Sequence, residues 1–128
     1  VQVLSTATVN LPAATDTVVA SLALPAGDWD VWSSMGFNFT LTGGSGLNLS
    51  LHAWLNPGGT ALPSVDQMGG HVQINTNIPN QPSALVPITP MRVSVSASIV
   101  VSLGATPTFL GGGGTIGAFG KLMARRRR

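Results

Sequence analysis

The sequence has no cysteine, no tyrosine, no glutamate and a single lysine, and only 8% of its 128 positions are charged. Without cysteine there are no disulfides, no thiolate nucleophile and no cysteine-ligated metal, and nothing firm follows about redox compartment. Without tyrosine, the aromatic girdles of a membrane-spanning β-barrel are poorly supplied. No apolar run approaches the roughly 18 residues that a spanning helix needs, so no membrane partner is expected despite the positive mean hydropathy. Ordinary soluble proteins carry roughly 25% charged residues. Solubility here must rest on Ser, Thr, Asn and Gln, or on covering part of the surface at a subunit interface.

What is present is 44% apolar residues punctuated by 16 glycines and nine prolines, which leave no long helical pattern. Short runs between turn residues are the signature of a many-stranded sandwich or barrel. A chain of this length is expected to form one domain over residues 1–128. It opens at Val1 with no signal-peptide pattern, as a processed chain or a piece of a longer one would.

The clearest stretch follows Leu24-Pro25-Ala26-Gly27. From there Trp29, Val31, Ser33, Met35, Phe37, Phe39 and Leu41 fall on one side, with Asp28, Asp30, Trp32, Ser34, Gly36, Asn38, Thr40 and Thr42 on the other. Alternation over fifteen residues predicts a long half-buried strand. Further strands are predicted over residues 1–11, ended by Pro12, and over 15–24, with Val18, Ala20, Leu22 and Leu24 on one face. Residues 47–55 are expected to form a hairpin with the long strand through the Gly43-Gly44-Ser45-Gly46 turn. Residues 56–90 read as a long loop holding short strands at 71–76 and 84–88, the second at an edge where Pro87 is tolerated. Residues 92–103 alternate cleanly as one strand, and after Gly111 to Gly114 a last strand runs from 115 to about 126. The expectation is an all-β fold, an antiparallel two-sheet sandwich, jelly-roll-like, of about eight strands.

Charge is segregated. Five of the six cations lie between Lys121 and Arg128, and the rest of the chain has Arg92 against Asp16, Asp28, Asp30 and Asp66. Asp28 and Asp30 share a strand face about 7 Å apart. They are either the solvent side of that strand or partners for the terminal Arg125, Arg126, Arg127 and Arg128, in the same or a neighbouring subunit; with Arg92 these residues make up the candidate interface or assembly set. A catalytic carboxylate pair is disfavoured, because no base lies nearby in sequence. The arginine run is read first as an intersubunit or capsid contact; nucleic acid is the weaker reading, since no aromatics interleave with the run to stack bases. His52, Asp66 and His71 lack metal-ligand spacing, so no metal and no cofactor is expected. Trp32 and Trp54 both fall opposite the Leu-rich side of their strands. With His52 and His71 they are candidates for a glycan or partner contact, and burial under the long loop is the alternative. The Gly111 to Gly114 run has no following Lys-Ser/Thr, so it reads as a turn and not a phosphate loop.

Leu-Pro-Ala-Gly-Asp-Trp-Asp-Val at 24–31, Met-Arg-Val-Ser-Val-Ser-Ala at 91–97, Phe-Leu-Gly-Gly at 109–112 and Gly-Ala-Phe-Gly-Lys-Leu-Met-Ala-Arg-Arg at 117–126 occur in that order. In this the chain resembles, over nearly its whole length, a group of small structural proteins of tailed-bacteriophage virions. It departs from the group at Ile99-Val100-Val101, where a Tyr-Leu pair is usual, and at Arg127, where an aliphatic residue is usual. The resemblance implies a non-enzymatic virion protein, a homotrimeric knob, fibre or capsid-decoration domain in contact with other virion proteins. Two alternatives keep the fold: a receptor-binding tip recognising host surface glycan, and a jelly-roll coat protein using its arginine tail on nucleic acid.

Overall fold

A computed structural model describes residues 2–3, 7–42, 47–63, 71–78, 83–110 and 113–127. These hold nine strands: β1 (Gln2–Val3), β2 (Val9–Asn10), β3 (Thr17–Leu24), β4 (Gly27–Thr42), β5 (Leu47–Pro57), β6 (His71–Ile78), β7 (Ser83–Val95), β8 (Ile99–Leu110) and β9 (Gly113–Arg126). They form two antiparallel sheets. One runs β1-β9-β4-β7 with β2 also paired to β9, and the other runs β3-β8-β5-β6. With β1 and β2 taken as one broken opening strand, each strand passes to the opposite sheet except at β5 to β6, which stay neighbours. This wrapping of a strand pair around two sheets is the jelly roll, and it agrees with the all-β sandwich expected from the alternation.

β4 is the organising strand, and its alternation is obeyed. Val31, Met35 and Phe37 are fully buried and Ser33 nearly so, while Asp28, Asp30 and Trp32 face outward. Facing them across the sandwich are Leu51, Ala53 and Leu55 of β5 and Val101, Leu103 and Ala105 of β8, with Val93 of β7 and Ile116, Ala118 and Leu122 of β9 completing the apolar layer. Each large aliphatic buried here contributes roughly 1.5–3 kcal/mol, which is why the parity of β4 fixes the rest. Among the described residues β7 is an edge strand, a position at which Pro87 and Pro90 are tolerated.

Three expectations about connection are corrected. β5 does not form a hairpin with β4; β4 pairs with β7 and β9, and β5 pairs with β6 and β8 in the other sheet. Both strands turn their apolar side to the same core, and that requirement is met by facing across the sandwich as well as by lying side by side. The strand expected over 92–103 is two strands in different sheets, β7 ending at Val95 and β8 starting at Ile99. Among the described residues the opening strand shows two short pairings on β9, Gln2 with Lys121 and Val9 with Ala118 among them. The stretch read as a long loop contains the whole of β6 and the first part of β7. In β3 a register shift between Val18 and Ala20 buries Val19 beside Ala20, which strict alternation would have turned outward. The turn at Gly43 to Gly46, Gly111 and Gly112, and Asp66 and Arg128, lie outside the described residues.

Candidate functional site

The outward face of the β4 sheet gathers most of the chain's chemistry. Register lays it out in rows across β7, β4 and β9. Asp30 lies between Arg92 and Arg125, Trp32 lies beside Met123, Ser34 lies between Pro87 and Lys121, and Gly36 lies between Leu85 and Phe119. Lys121 and Arg125 through Arg127 thus follow β9 to the end at which β4 begins, and every described cation is on this sheet or directly after it.

At that end the carboxylates are engaged. Arg92 donates to Asp28 in a two-pronged pair, Nε to Oδ1 at 2.8 Å and Nη2 to Oδ2 at 2.5 Å. That pair holds the Asp28 carboxyl below its ordinary range, chiefly through the hydrogen bonds, and raises the Arg92 guanidinium in turn. Asp30 sits between Arg125 at 3.6 Å and Arg127 at 3.7 Å, too long for hydrogen bonds. The Arg127 backbone N–H donates to the Asp28 carbonyl at 2.8 Å, so the run after β9 is held against the start of β4. Arg126 points to the other side, over the Trp29 ring at 5.9 Å, with Nη2 3.4 Å from the Ala26 carbonyl. Trp29 in turn donates from its indole N–H to the Pro25 carbonyl at 3.0 Å. Gly27, at φ 149°, runs beneath this stack, and a Cβ there would meet Arg126 Nε at 3.1 Å and the Trp29 indole nitrogen at 3.3 Å.

Asp30, Arg125, Arg126 and Arg127 line an open depression of about 330 Å³. Trp32, half-buried, is the next outward residue along β4 from Asp30, roughly 7 Å on. Trp32 thus lies one row along the sheet from Asp30 and Arg125, whereas Phe119, whose ring lies over Gly36, is well away from the arginines along β9. The sequence conceals this because Trp32 and the arginines are far apart in the chain. What could have found Phe119 and Met123 is the parity of the last strand, whose odd positions run Phe119, Lys121, Met123 and Arg125.

The sequence-derived set divides. Asp28, Asp30, Arg92, Arg125 and Arg127 come together within the one chain, with Arg92, not a terminal arginine, as the side-chain partner of Asp28, and Arg126 turns to Trp29. Trp32 joins them, whereas His52, Trp54 and His71 are on the β5 sheet, His71 in register with Trp54. Trp54 is fully buried and offers no stacking face, which corrects its candidacy as a glycan or partner contact. It lies over Gly104, directly across on β8, and its indole N–H donates to Thr106 Oγ1 at 3.0 Å. Thr106 donates to Asp16 Oδ1 at 2.5 Å, and Asp16 Oδ2 accepts from the Leu62 N–H at 2.9 Å. The Ala14 N–H reaches the Pro107 carbonyl at 2.7 Å. Two connections are so tied across the outer face of this sheet, and Asp16, for which the sequence carried no signal, holds both. Among the described residues no three metal-ligating side chains converge.

No family model matches the chain, and no curated protein does. Among solved structures it is similar to a chain in the structure of infectious bursal disease virus, Gx strain, at 15% identity and a TM-score of 0.50. The match covers 91% of this chain and 29% of that one, so this chain spans less than a third of the viral chain's length. The similarity is one of fold.

Proposed function

We propose that the chain is a structural protein of a virus particle, and specifically a trimeric knob, fibre or head-decoration domain of a tailed bacteriophage that contacts other virion proteins. The observation that carries this is the complete jelly roll, matched over 91% of the chain in a virus structure. Two further features support it: the scarcity of charge in the sequence, which favours association between copies, and the resemblance of its ordered motifs to those of phage virion proteins. The arginine run is held to β4 at Asp28 and Asp30. That favours a built surface over a free arm on nucleic acid. Labelling purified particles of the encoding virus with antibody against the folded domain tests the proposal. Discrete labels on head or tail are expected; infectious particles lacking the protein would contradict it. A second reading, a receptor-binding tip, is favoured by Trp32 beside the arginine-lined depression.

A further inference from the structure

We infer that the depression lined by Asp30, Arg125, Arg126 and Arg127, together with Trp32, is a binding site for an acidic carbohydrate, a chain of sugars or polyols carrying carboxylate or phosphate groups. The inference deepens the receptor-tip reading. Three kinds of group point to this ligand, and each recognises a different part of it.

The first is the guanidinium pair. Arg125 and Arg127 stand 3.6 and 3.7 Å from Asp30, and the side chains are 76% and 48% exposed. Their donors are therefore offered outward, in a planar fork that suits a carboxylate or phosphate oxygen pair. Arg92, by contrast, is consumed by its two short bonds to Asp28. The second is the Asp30 carboxylate, which no hydrogen bond from either arginine saturates. A carboxylate set among cations accepts hydrogen bonds from hydroxyls, and hydroxyls are what a sugar or polyol supplies. The third is Trp32, which adds an apolar aromatic surface on the same strand face, two positions from Asp30. An amphipathic ring of this kind packs against the C–H face of a pyranose.

Charge decides between macromolecules. Arg92, Lys121, Arg125 and Arg127 set against Asp28 and Asp30 leave the described face with two positive charges in excess. A second copy presenting the same face is repelled, and an anionic partner is drawn to it. Single-stranded nucleic acid is the competing anion. In DNA the linked sugars carry no free hydroxyls for Asp30 to engage, and single-strand sites stack successive bases on aromatics spaced along a cationic groove.

The test uses the full chain, immobilised, with four soluble polymers at about 0.15 M salt: polygalacturonate, a glycerol-phosphate polymer, neutral dextran and single-stranded DNA. Binding to one or both of the first two and none to dextran is expected, and which of them binds distinguishes carboxylate from phosphate. The double variant Arg125→Ala/Arg127→Ala is expected to weaken binding by about tenfold or more, and Trp32→Ala and Asp30→Asn by about threefold each. The arginine and Asp30 variants keep the parent's urea midpoint closely, since their ion pairs are exposed, and Trp32→Ala lowers it modestly because that ring is half-buried, with every variant folded under the binding conditions. DNA bound as tightly as the acidic polysaccharides would overturn the inference, as would arginine variants that fail while Trp32→Ala and Asp30→Asn bind like the parent. No retention of either acidic polymer by the folded chain would also overturn it. Particle labelling is independent of all four polymers, so the virion reading and the carbohydrate site can fail separately.

Discussion

Ser33 occupies a core-facing position of β4, is 6% exposed, and its hydroxyl has no hydrogen-bond partner. A buried hydroxyl left unpaired costs about 1–3 kcal/mol of desolvation. Ser33→Ala is therefore expected to leave stability unchanged or raise it by about 1 kcal/mol, read as a higher urea midpoint at constant m-value; a clear loss would mean that the hydroxyl is bonded in solution. Trp54 is the opposite case. Removing a fully enclosed indole in Trp54→Ala should lower stability by about 3–5 kcal/mol and release the Asp16 network, which equilibrium unfolding would measure. Asp28 supplies a pH dependence whose sign follows from its lowered pKa. The folded carboxyl holds its proton less tightly than the unfolded one, so its stabilising effect is present above the ordinary aspartate range and is lost as pH falls through and below about 4. Arg92→Met should flatten that acid limb while leaving the neutral-pH fold intact. At this scale the sequence was legible for Asp28 and Asp30, because parity puts both on the outward side of β4; that Arg92 and Arg125 flank them was not, because parity does not say which strands lie side by side. It was not legible for Trp54, since alternation says which side a residue faces and not whether connections from elsewhere will cover that side.

Among the elements, β4 could be read almost to the residue because its sixteen positions hold one parity without interruption. The same rule concealed the corner between β7 and β8. Val93 and Val95 before it and Ile99, Val101 and Leu103 after it are all odd, so a chain that changes sheets at residues 96–98 looks like a chain that runs straight on. The partner of β5 was hidden for a related reason, the equal satisfaction of its Leu stripe by either sheet. Two glycines inside strands show what the pairing demands. Gly36 lies under Phe119 and Gly104 under Trp54, each directly across a strand pair, and a Cβ at either would run into the ring. The outcomes should differ. Phe119 is half-buried at the surface and can swing aside, so Gly36→Ala should be mild, whereas the enclosed Trp54 has nowhere to go and Gly104→Ala should lower the thermal midpoint severely. Equal shifts in the two variants would contradict this account of the rings.

For the whole molecule, the decisive feature is that charge and its absence are separated. The described cations sit on the β4 sheet, and the outer face of the β5 sheet presents Ser21, Ala23, Thr108 and Val100, the last 49% exposed, with Ala23 and Val100 in register. Copies that associate do best through such charge-poor surface while their cationic ends stay apart. Because the Asp–Arg pairs are made within one chain, assembly should not depend on them. The measurement that addresses the central claim most directly is the solution mass by light scattering, in about 0.1 M and about 1 M salt. The account predicts a mass near three times 13.1 kDa at both salt concentrations. A monomer at every concentration and salt would contradict it, and the scarcity of charge would then have no subunit contact to explain it.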